Sequence, residues 1–206
     1  TIEQRFYKLN TTEERDDALE ALLLTHKPES SVVFCNTKKE VQKVTDELSH
    51  RGFSVVELHG DMEQREREQA LTIFAKKSVS ILVATDVAAR GLDVDNLDAV
   101  FNFELSRDPE VHVHRIGRTG RAGSKGVAFS FYSEKEEYRV ARIDEYMDIA
   151  ISPAVLPEKP VERPFYPKMQ TIQILGGKKQ KVRAGDILGA LTKQAGLDGK
   201  KIGKIN

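Results

Sequence analysis

Residues 31–48 read SVVFCNTKKEVQKVTDEL, and this stretch decides the fold class. The run Ser31–Cys35 is almost wholly apolar, which is typical of a strand buried on both faces of a parallel sheet. Apolar side chains then recur at helical spacing, at Val41, Val44 and Leu48. Thr37, with Glu40 three residues later, has the form of a capping box. A buried strand followed at once by a helix predicts one unit of an α/β fold with a parallel sheet.

The same alternation continues along residues 1–150. Five more strand-like runs are separated by helical patterns: Arg5–Leu9, Ser54–Leu58, Ser80–Ala84, Ala99–Phe103 and Gly126–Phe131. Asp108 before Pro109 predicts a further helix start, because aspartate is a good N-cap and proline suits the first helical position. We therefore expect residues 1–150 to form a parallel sheet with helices on both faces.

Composition limits the class of protein. The chain has 206 residues, of which 39% are hydrophobic and 31% are charged, so a packed core is expected. We expect no membrane span, because no apolar run reaches roughly 18 residues. The single cysteine, Cys35, excludes an internal disulfide and suits a reducing cytosol. The chain starts inside a strand-like run, which suggests a piece of a longer protein.

The pattern changes after residue 150. Five of the seven prolines lie between 153 and 167, so residues 151–168 are predicted to be a semi-extended linker. Residues 169–206 have the pattern of a β-α-β opening that is too short to bury a core by itself. Residues 158–206 contain 11 basic and 4 acidic residues, whereas residues 1–157 contain 21 and 28. The basic end is typical either of nucleic-acid contact or of a solvated tail.

Polar residues follow three of the predicted strands, at the point where each strand ends. They are Asn36 and Thr37, then His59, Gly60 and Asp61, then Thr85 and Asp86. In open α/β sheets, ligands bind beyond the carboxyl ends of the strands, so these groups should line one edge. Ordinary turn chemistry favours the same residue types, and this alternative stays open for each group alone.

The strongest local motif is HRIGRTGR at residues 114–121. Its arginines, Arg115, Arg118 and Arg121, are spaced by three, and residues 111–123 contain no acid. Guanidinium groups bind phosphate bidentately, so an external anion is the expected partner, with a solvated basic loop as the alternative. In the segment TDVAARGLD at 85–93, a carboxylate could face a sugar hydroxyl, or Arg90 could pair with Asp86 in a salt-bridged turn.

Other chemistry is weakly supported by the sequence. His112 and His114 are two residues apart and would diverge on a helix, so we expect no metal site. Cys35 is expected to be a small core residue. The chain contains no G-x-x-x-x-G-K-[ST] loop and no Asp-Glu-x-Asp run, so we expect that it does not hydrolyse a nucleotide alone.

These motifs, in this order, resemble the C-terminal RecA-like domain of DEAD-box RNA helicases over about residues 1–150. They are FCNT at 34–37, HGD at 59–61 with Gln64 and Arg67, TD through RGLD at 85–93, and HRIGRTGR at 114–121. The linker and residues 169–206 resemble the subfamily that appends an RNA-recognition motif, of which this segment would be the start.

The resemblance implies an ATP-dependent clamp that bends one RNA strand and locally separates a duplex. Mg²⁺ would be held by an upstream RecA-like domain, which is also an expected partner. Arg118 and Arg121 would be arginine fingers, His114 would couple the domains, and Gly91 and Asp93 would face the ATP ribose. The RNA backbone would be held by Asn36, Gly60, Gln64, Arg67 and Thr85. The subfamily implies structured ribosomal RNA in large-subunit assembly, in the cytoplasm.

Two residues depart from the family pattern, Ser106 in place of proline and His112 in place of tyrosine. Two other hypotheses remain open from the sequence: a RecA-like scaffold that binds RNA without catalysis, and half of a DNA helicase. The first is disfavoured by the intact Arg118 and Arg121. Residues 167–206 contain no Phe or Trp and no Tyr, so base stacking by this segment is not expected.

Overall fold

The computed structural model describes residues 1–90, 94–120 and 123–206. The chain divides into two compact units, Thr1–Met169 and Gln170–Asn206. The strands of the first unit are β1 Ile2–Lys8, β2 Ser31–Cys35, β3 Val55–Leu58, β4 Ile81–Thr85, β5 Ala99–Asn102 and β6 Gly126–Tyr132. Its helices are α1 Thr12–His26, α2 Lys38–His50, α3 Gln64–Ala75, α4 Asp86–Ala89, α5 Pro109–Ile116 and α6 Glu137–Met147.

The six strands form one parallel sheet in the order β1-β6-β5-β2-β4-β3. This confirms the predicted α/β fold class. Alternate side chains of each buried strand enter cores on opposite faces of the sheet. Val33 and Cys35 of β2 pack on the face covered by α1 and α2. Val32 and Phe34 pack on the other face with Phe74 of α3. Burial on both faces explains why these strands have no polar alternation.

The helix starts have the predicted N-cap residues, although the capping box predicted at Thr37 has only one of its two hydrogen bonds. The Thr37 hydroxyl accepts a hydrogen bond from the Glu40 N–H at 3.2 Å. The Asp108 carboxylate accepts one from the Glu110 N–H at 2.9 Å, and Pro109 occupies the first helical position. Each cap fixes the direction in which the chain leaves the end of a strand. The caps therefore position the polar residues between β2 and α2, and between β5 and α5.

The proline-rich segment, residues 151–168, has no helix and no strand beyond one isolated bridge, as its proline content predicts. It is nevertheless attached to the first unit. The Ala154 N–H donates to the Phe6 carbonyl at 2.7 Å, and Leu156 packs against the core under α1 and α2. The Phe165 ring lies edge-on to Phe53, with 6.2 Å between centroids. Only apolar side chains between the prolines could have indicated these contacts.

Residues 170–206 form helical turns only. They are a 3₁₀ turn at Lys178–Gln180, a short α-helix α7 at Ala184–Gly189, a π-helical turn at Ala190–Gln194 and a 3₁₀ turn at Gly199–Lys201. The predicted β-α-β pattern is therefore wrong for its strands, although its helix is present. A strand needs a neighbouring strand for its hydrogen bonds, and neither predicted run finds one among residues 170–206. None of these 37 residues is buried, so the unit has no core of its own.

Candidate functional site

The carboxyl ends of β2, β4 and β3 are neighbours in the sheet. The three polar groups predicted to share an edge do so, because each follows one of these strands. Asn36 follows β2, Thr85 ends β4, and Gly60 comes two residues after β3. We call this row the strand-end edge. It continues across the sheet to β5, which is followed by Glu104.

Arg115 of α5 is the hub of the strand-end edge. Its side chain is 1% exposed, and it pairs with both oxygens of Asp86, through Nε at 2.6 Å and Nη2 at 2.7 Å. Nη2 also donates to the Asn36 amide oxygen at 2.8 Å, and Nη1 donates to the Glu104 carbonyl at 2.7 Å. The guanidinium lies over the Phe34 ring, 5.2 Å from its centroid. One buried cation therefore ties together the ends of β2, β4 and β5.

This geometry corrects two expectations from the sequence. Arg115 does not need an external anion, because it is already paired with Asp86. The sequence motif did not show this partner, because Asp86 lies 29 positions away. The suggested pairing of Arg90 with Asp86 is also wrong, since both Asp86 oxygens are bound to Arg115. Of the regularly spaced arginines, Arg115 is therefore a buried structural residue, whereas Arg118 is more accessible.

Asn36 is held by both ends of its side chain. Its amide nitrogen donates to the Leu105 carbonyl at 3.1 Å, and its amide oxygen accepts from Arg115. Its backbone N–H donates to the Glu104 carboxylate at 2.9 Å. The side chain is therefore fixed in place at an exposed position of the edge. Glu104 was missed in the sequence, where its only signal was its place after an apolar strand.

The remaining residues predicted to bind RNA differ in exposure and in whether their side chains already have hydrogen-bond partners. The Thr85 hydroxyl caps α4 by accepting from the Ala88 N–H at 3.3 Å, and the residue is buried. Gly60 is exposed, and a Cβ there would meet nothing within 4 Å, so packing does not require glycine. The Gln64 amide donates to Glu68 on α3. The Arg67 guanidinium has no hydrogen bond or ion pair to any described residue.

The loop after α5 carries Arg118, and its backbone is firmly held. The Arg118 carbonyl accepts from the Leu97 N–H at 3.0 Å, and the Thr119 hydroxyl donates to the Leu97 carbonyl. Gly120 has φ +70°, and a Cβ there would lie 2.7 Å from Ile2 Cγ1. Glycine is thus required by the positive φ and by close packing against β1.

The Arg118 side chain remains partly accessible. It is 22% exposed, and its Nη1 lies 3.5 Å from Asp95 Oδ1. His114 is exposed in the last turn of α5. Gly91, Asp93 and Arg121, which the resemblance assigned to ATP, lie outside the described residues. An anionic ligand can therefore reach part of the Arg118 guanidinium.

His112 and His114 diverge, as helical spacing predicts. His112 is fully buried, its Nε2 lies 2.9 Å from the Gln4 amide oxygen, and its ring is stacked on Phe6. Burial lowers the pKa of His112 to about 4, with a further contribution from the Arg115 charge. His112 is thus a neutral core residue that joins α5 to β1. Burial likewise raises the pKa of the Cys35 thiol, which suits a core residue.

Two titrating groups are expected to give opposite slopes of stability against pH. Burial raises the pKa of Asp16 on α1 to about 6, so ionising it destabilises the native state as pH rises from 4 to 6. His112 acts in the other direction, because its lowered pKa makes acid destabilising between about pH 6.5 and 4. Relative to the parent chain, Asp16→Asn should gain free energy of unfolding as pH rises from 4 to 6, and His112→Gln should lose it.

Urea unfolding at pH 4, 5, 6 and 7 checks both signs. A constant difference between each variant and the parent chain would show that neither group titrates where the geometry implies. No group of three or more metal-binding side chains is found among the described residues, and no described helix is long and apolar enough to cross a membrane.

Comparison with known families follows the division of the chain. The helicase conserved C-terminal domain matches residues 14–123, and the DbpA RNA binding domain matches residues 171–206. The chain therefore belongs to the helicase C-terminal domain family. Its DEAD-box character is shown by the solved structures described next.

Two solved domains are similar over nearly their whole length. The E. coli DEAD-box protein SrmB, bound to regulator of ribonuclease activity A, has 32% identity and a TM-score of 0.73, covering 84% of this chain and 99% of that one. The C-terminal domain of the DEAD-box protein Dbp5 has 33% identity and a TM-score of 0.68, covering 74% and 89%. The chain is accordingly a DEAD-box C-terminal RecA-like domain followed by an RNA-binding segment.

Among curated relatives, the ATP-dependent RNA helicase DbpA of Escherichia coli K12 is 51% identical over 204 residues, which is 99% of this chain. The protein of the same name from Bacillus subtilis is 37% identical over 94% of the chain. The chain spans 44% and 45% of the length of these two relatives. It therefore corresponds to somewhat less than half of each helicase.

Proposed function

We propose that the chain is the second RecA-like half of an ATP-dependent RNA helicase that locally unwinds RNA duplexes. The observation that carries the proposal is the strand-end edge. Buried Arg115 links three strand ends and leaves an open surface with an exposed glycine, Gly60, and a cation, Arg67, that has no partner among the described residues. A rigid edge with a free cation suits the sugar-phosphate backbone, which carries no sequence information.

Nucleotide contact is proposed for the loop after α5. Arg118 is fixed in its backbone and partly exposed in its side chain, which fits a residue that reaches for phosphate. ATP would supply the phosphoanhydride whose hydrolysis drives opening and closing of the clamp. Arg118 would exchange its Asp95 contact for phosphate oxygens, and Arg121 would act beside it. Gly91 and Asp93 would face the ribose, and His114 would lie against the upstream domain.

The described residues of this chain do not form a site for Mg²⁺. The described residues offer no cluster of carboxylates at the strand-end edge, where Asp86 is already bound to Arg115. We therefore assign Mg²⁺ to the upstream RecA-like domain, which is the first protein partner of this chain. Arginine, by contrast, is suited to neutralising phosphate charge directly.

Residues 170–206 are proposed to add affinity for RNA. They contain eight basic and two acidic residues, and all eight basic side chains are exposed. Attraction to phosphate of this kind is independent of sequence and weakens with salt. The proposed substrate is structured ribosomal RNA of the large subunit, in the cytoplasm, as the similarity to the DbpA RNA binding domain suggests.

Arg67→Ala tests the assignment of the strand-end edge. We expect RNA affinity to fall and the slope of log K against log[salt] to decrease by about one, because one phosphate contact is lost. Arg65→Ala is the matched control, since it removes the same charge from the same helix at an exposed position, whereas Arg67 is partly buried. Affinities for a single-stranded oligonucleotide would be measured by fluorescence anisotropy across a salt series.

Equal salt slopes for the parent chain and both variants would remove Arg67 from the interface. Equal losses for Arg65→Ala and Arg67→Ala would mean that only net charge matters. A scaffold that has lost catalysis would pass this test, so it must be separated from a helicase by the activity of Arg118.

A further inference from the structure

A polar cleft continues the strand-end edge beyond β2. It has a volume of about 480 Å³ and is lined by Asn36, Thr37, Glu104, Arg107, Glu136 and Arg139. Its size is ample for part of a nucleotide chain. Asn36 and Thr37 belong to the edge, whereas Arg107 precedes α5 and Arg139 is on α6. The cleft is therefore the place where the edge meets α6.

A shared hydrogen-bond acceptor fixes this junction. The Leu105 carbonyl accepts from the Asn36 amide at 3.1 Å and from Arg139 Nη1 at 2.8 Å. Arg139 and Asn36 of the proposed RNA-binding edge are thus held together by hydrogen bonds to the same carbonyl. Its side chain is 12% exposed and also pairs with Glu136 at 3.3 Å. A ligand lying on Asn36 would reach the first turn of α6 without crossing open solvent.

Tyr138 does not line the cleft itself, but its ring contacts Arg139, which does. Tyr138 is 54% exposed, and the Arg139 guanidinium lies 5.6 Å from the centroid of its ring. The Arg139 Nε–H donates to the Tyr138 hydroxyl at 3.1 Å, which holds the ring in position. Arg107 is exposed, and its guanidinium has no hydrogen bond or ion pair to any residue in the described part of the chain.

The cleft offers Arg107 as a cation without a partner among the described residues, and the exposed Tyr138 ring lies against Arg139 of its lining. An aromatic ring and a cation on the same surface suit single-stranded nucleic acid. Bases stack on aromatic faces whatever their identity, and arginine binds the phosphate between them. A folded protein partner would require a larger apolar surface than one ring, since stable interfaces bury about 800 Å² per side. The two arginines of the lining are balanced by two glutamates, so the argument for an RNA strand rests on Arg107, which has no partner among the described residues, and on the exposed Tyr138 ring.

We propose that the RNA strand leaving the strand-end edge continues into this cleft, where Arg107 binds a phosphate, and that a base stacks on Tyr138 next to Arg139 of the cleft lining. This inference rests on the proposed RNA-binding function and extends it by at least one nucleotide. The site reads no base identity, and it selects substrates that have a single-stranded extension on this side. Residues 167–206 contain no aromatic ring, so the ring proposed to stack comes from α6 of the first unit.

The test compares two RNA lengths. A short oligonucleotide of about four nucleotides would fill the edge alone, and one of about ten would also fill the cleft. For Tyr138→Ala we expect the affinity for the longer strand to fall roughly tenfold and that for the shorter strand to stay unchanged. Arg107→Ala should lower the salt slope by about one for the longer strand only.

Two controls separate stacking from general damage. Tyr138→Phe keeps the ring and should bind the longer strand as the parent chain does. Tyr146→Ala removes a tyrosine that is 58% exposed on the same helix, two turns from the cleft, and should change neither affinity. Circular dichroism would confirm that each variant is folded.

The outcomes distinguish this inference from the function on which it rests. If Arg67→Ala weakens both strands while Tyr138→Ala and Arg107→Ala change neither, the cleft site is overturned and the edge is retained. An equal loss for Tyr146→Ala, or an equal loss on both lengths for Tyr138→Ala, also overturns the cleft site. If the parent chain binds neither strand, the proposed function and the inference both fail.

Discussion

Asp86→Ala is expected to lower the free energy of unfolding of the first unit by about 3–5 kcal/mol. The reason is the burial of Arg115, whose side chain is 1% exposed and whose charge would lose its only carboxylate partner among the described residues. A buried charge without a partner is among the most costly defects in a folded protein. Chemical denaturation monitored by circular dichroism would measure the loss.

A second substitution at the partner gives the sharper test. Asp86→Ala combined with Arg115→Met removes both charges, so it should recover part of the stability that Asp86→Ala loses. RNA affinity should fall in the double variant, because Arg115→Met removes the guanidinium that orients the Asn36 amide. A double variant less stable than Asp86→Ala alone would show that the ion pair is not what holds the strand ends.

Arg118→Ala is expected to reduce the kcat for ATP hydrolysis by a factor on the order of 10³ in an enzyme that contains both RecA-like halves. Stability should change little, because the contact with Asp95 is 3.5 Å long and both side chains are more than 20% exposed. A suitable enzyme joins this chain to the N-terminal half of the E. coli relative, to which it is 51% identical.

Arg65→Ala in the same chimera is the matched control for loss of one positive charge. It should leave kcat unchanged. If Arg118→Ala unfolds the protein, or if the folded variant turns over at the rate of its parent, then Arg118 is a structural residue like Arg115. The non-catalytic scaffold would be the better description only if the parent chimera itself did not hydrolyse ATP.

The sequence predicted the fold well because the strands are buried on both faces. Continuous apolar runs mark such strands clearly, and Ser31–Cys35 is correct to the residue. The order of the strands in the sheet could not be predicted in this way, because no local sequence pattern shows which strands are neighbours. The contacts of Phe165 on Phe53 could not be predicted either, since they join positions more than 100 residues apart.

The functional site was likewise predictable only where neighbouring residues in the sequence define it. The strand ends were found because polar residues follow apolar runs. The roles of the arginines were not, because a partner such as Asp86 is invisible to spacing. The family pattern has tyrosine at position 112. The histidine there bonds Gln4, which is 108 positions away, so its role becomes visible only in the folded structure. Local spacing identifies cations, and the fold decides which of them are free.

Ser106 illustrates a departure whose effect is small. Its hydroxyl accepts a hydrogen bond from the Asp108 N–H at 3.1 Å, next to the cap of α5. A hydroxyl that bonds the backbone holds a turn much as proline would, by restricting the chain locally. The loop that leads into the arginine motif is therefore ordered without the proline.

The central claim is that this chain completes an RNA-stimulated ATPase. The most direct measurement is steady-state ATP hydrolysis by the chimera with the E. coli N-terminal half, with and without structured RNA. We predict that RNA raises turnover, that neither half alone hydrolyses ATP under RNA stimulation, and that Arg67→Ala raises the RNA concentration needed for half-maximal rate. A folded chimera whose hydrolysis is absent, or is the same with and without RNA, would contradict the account.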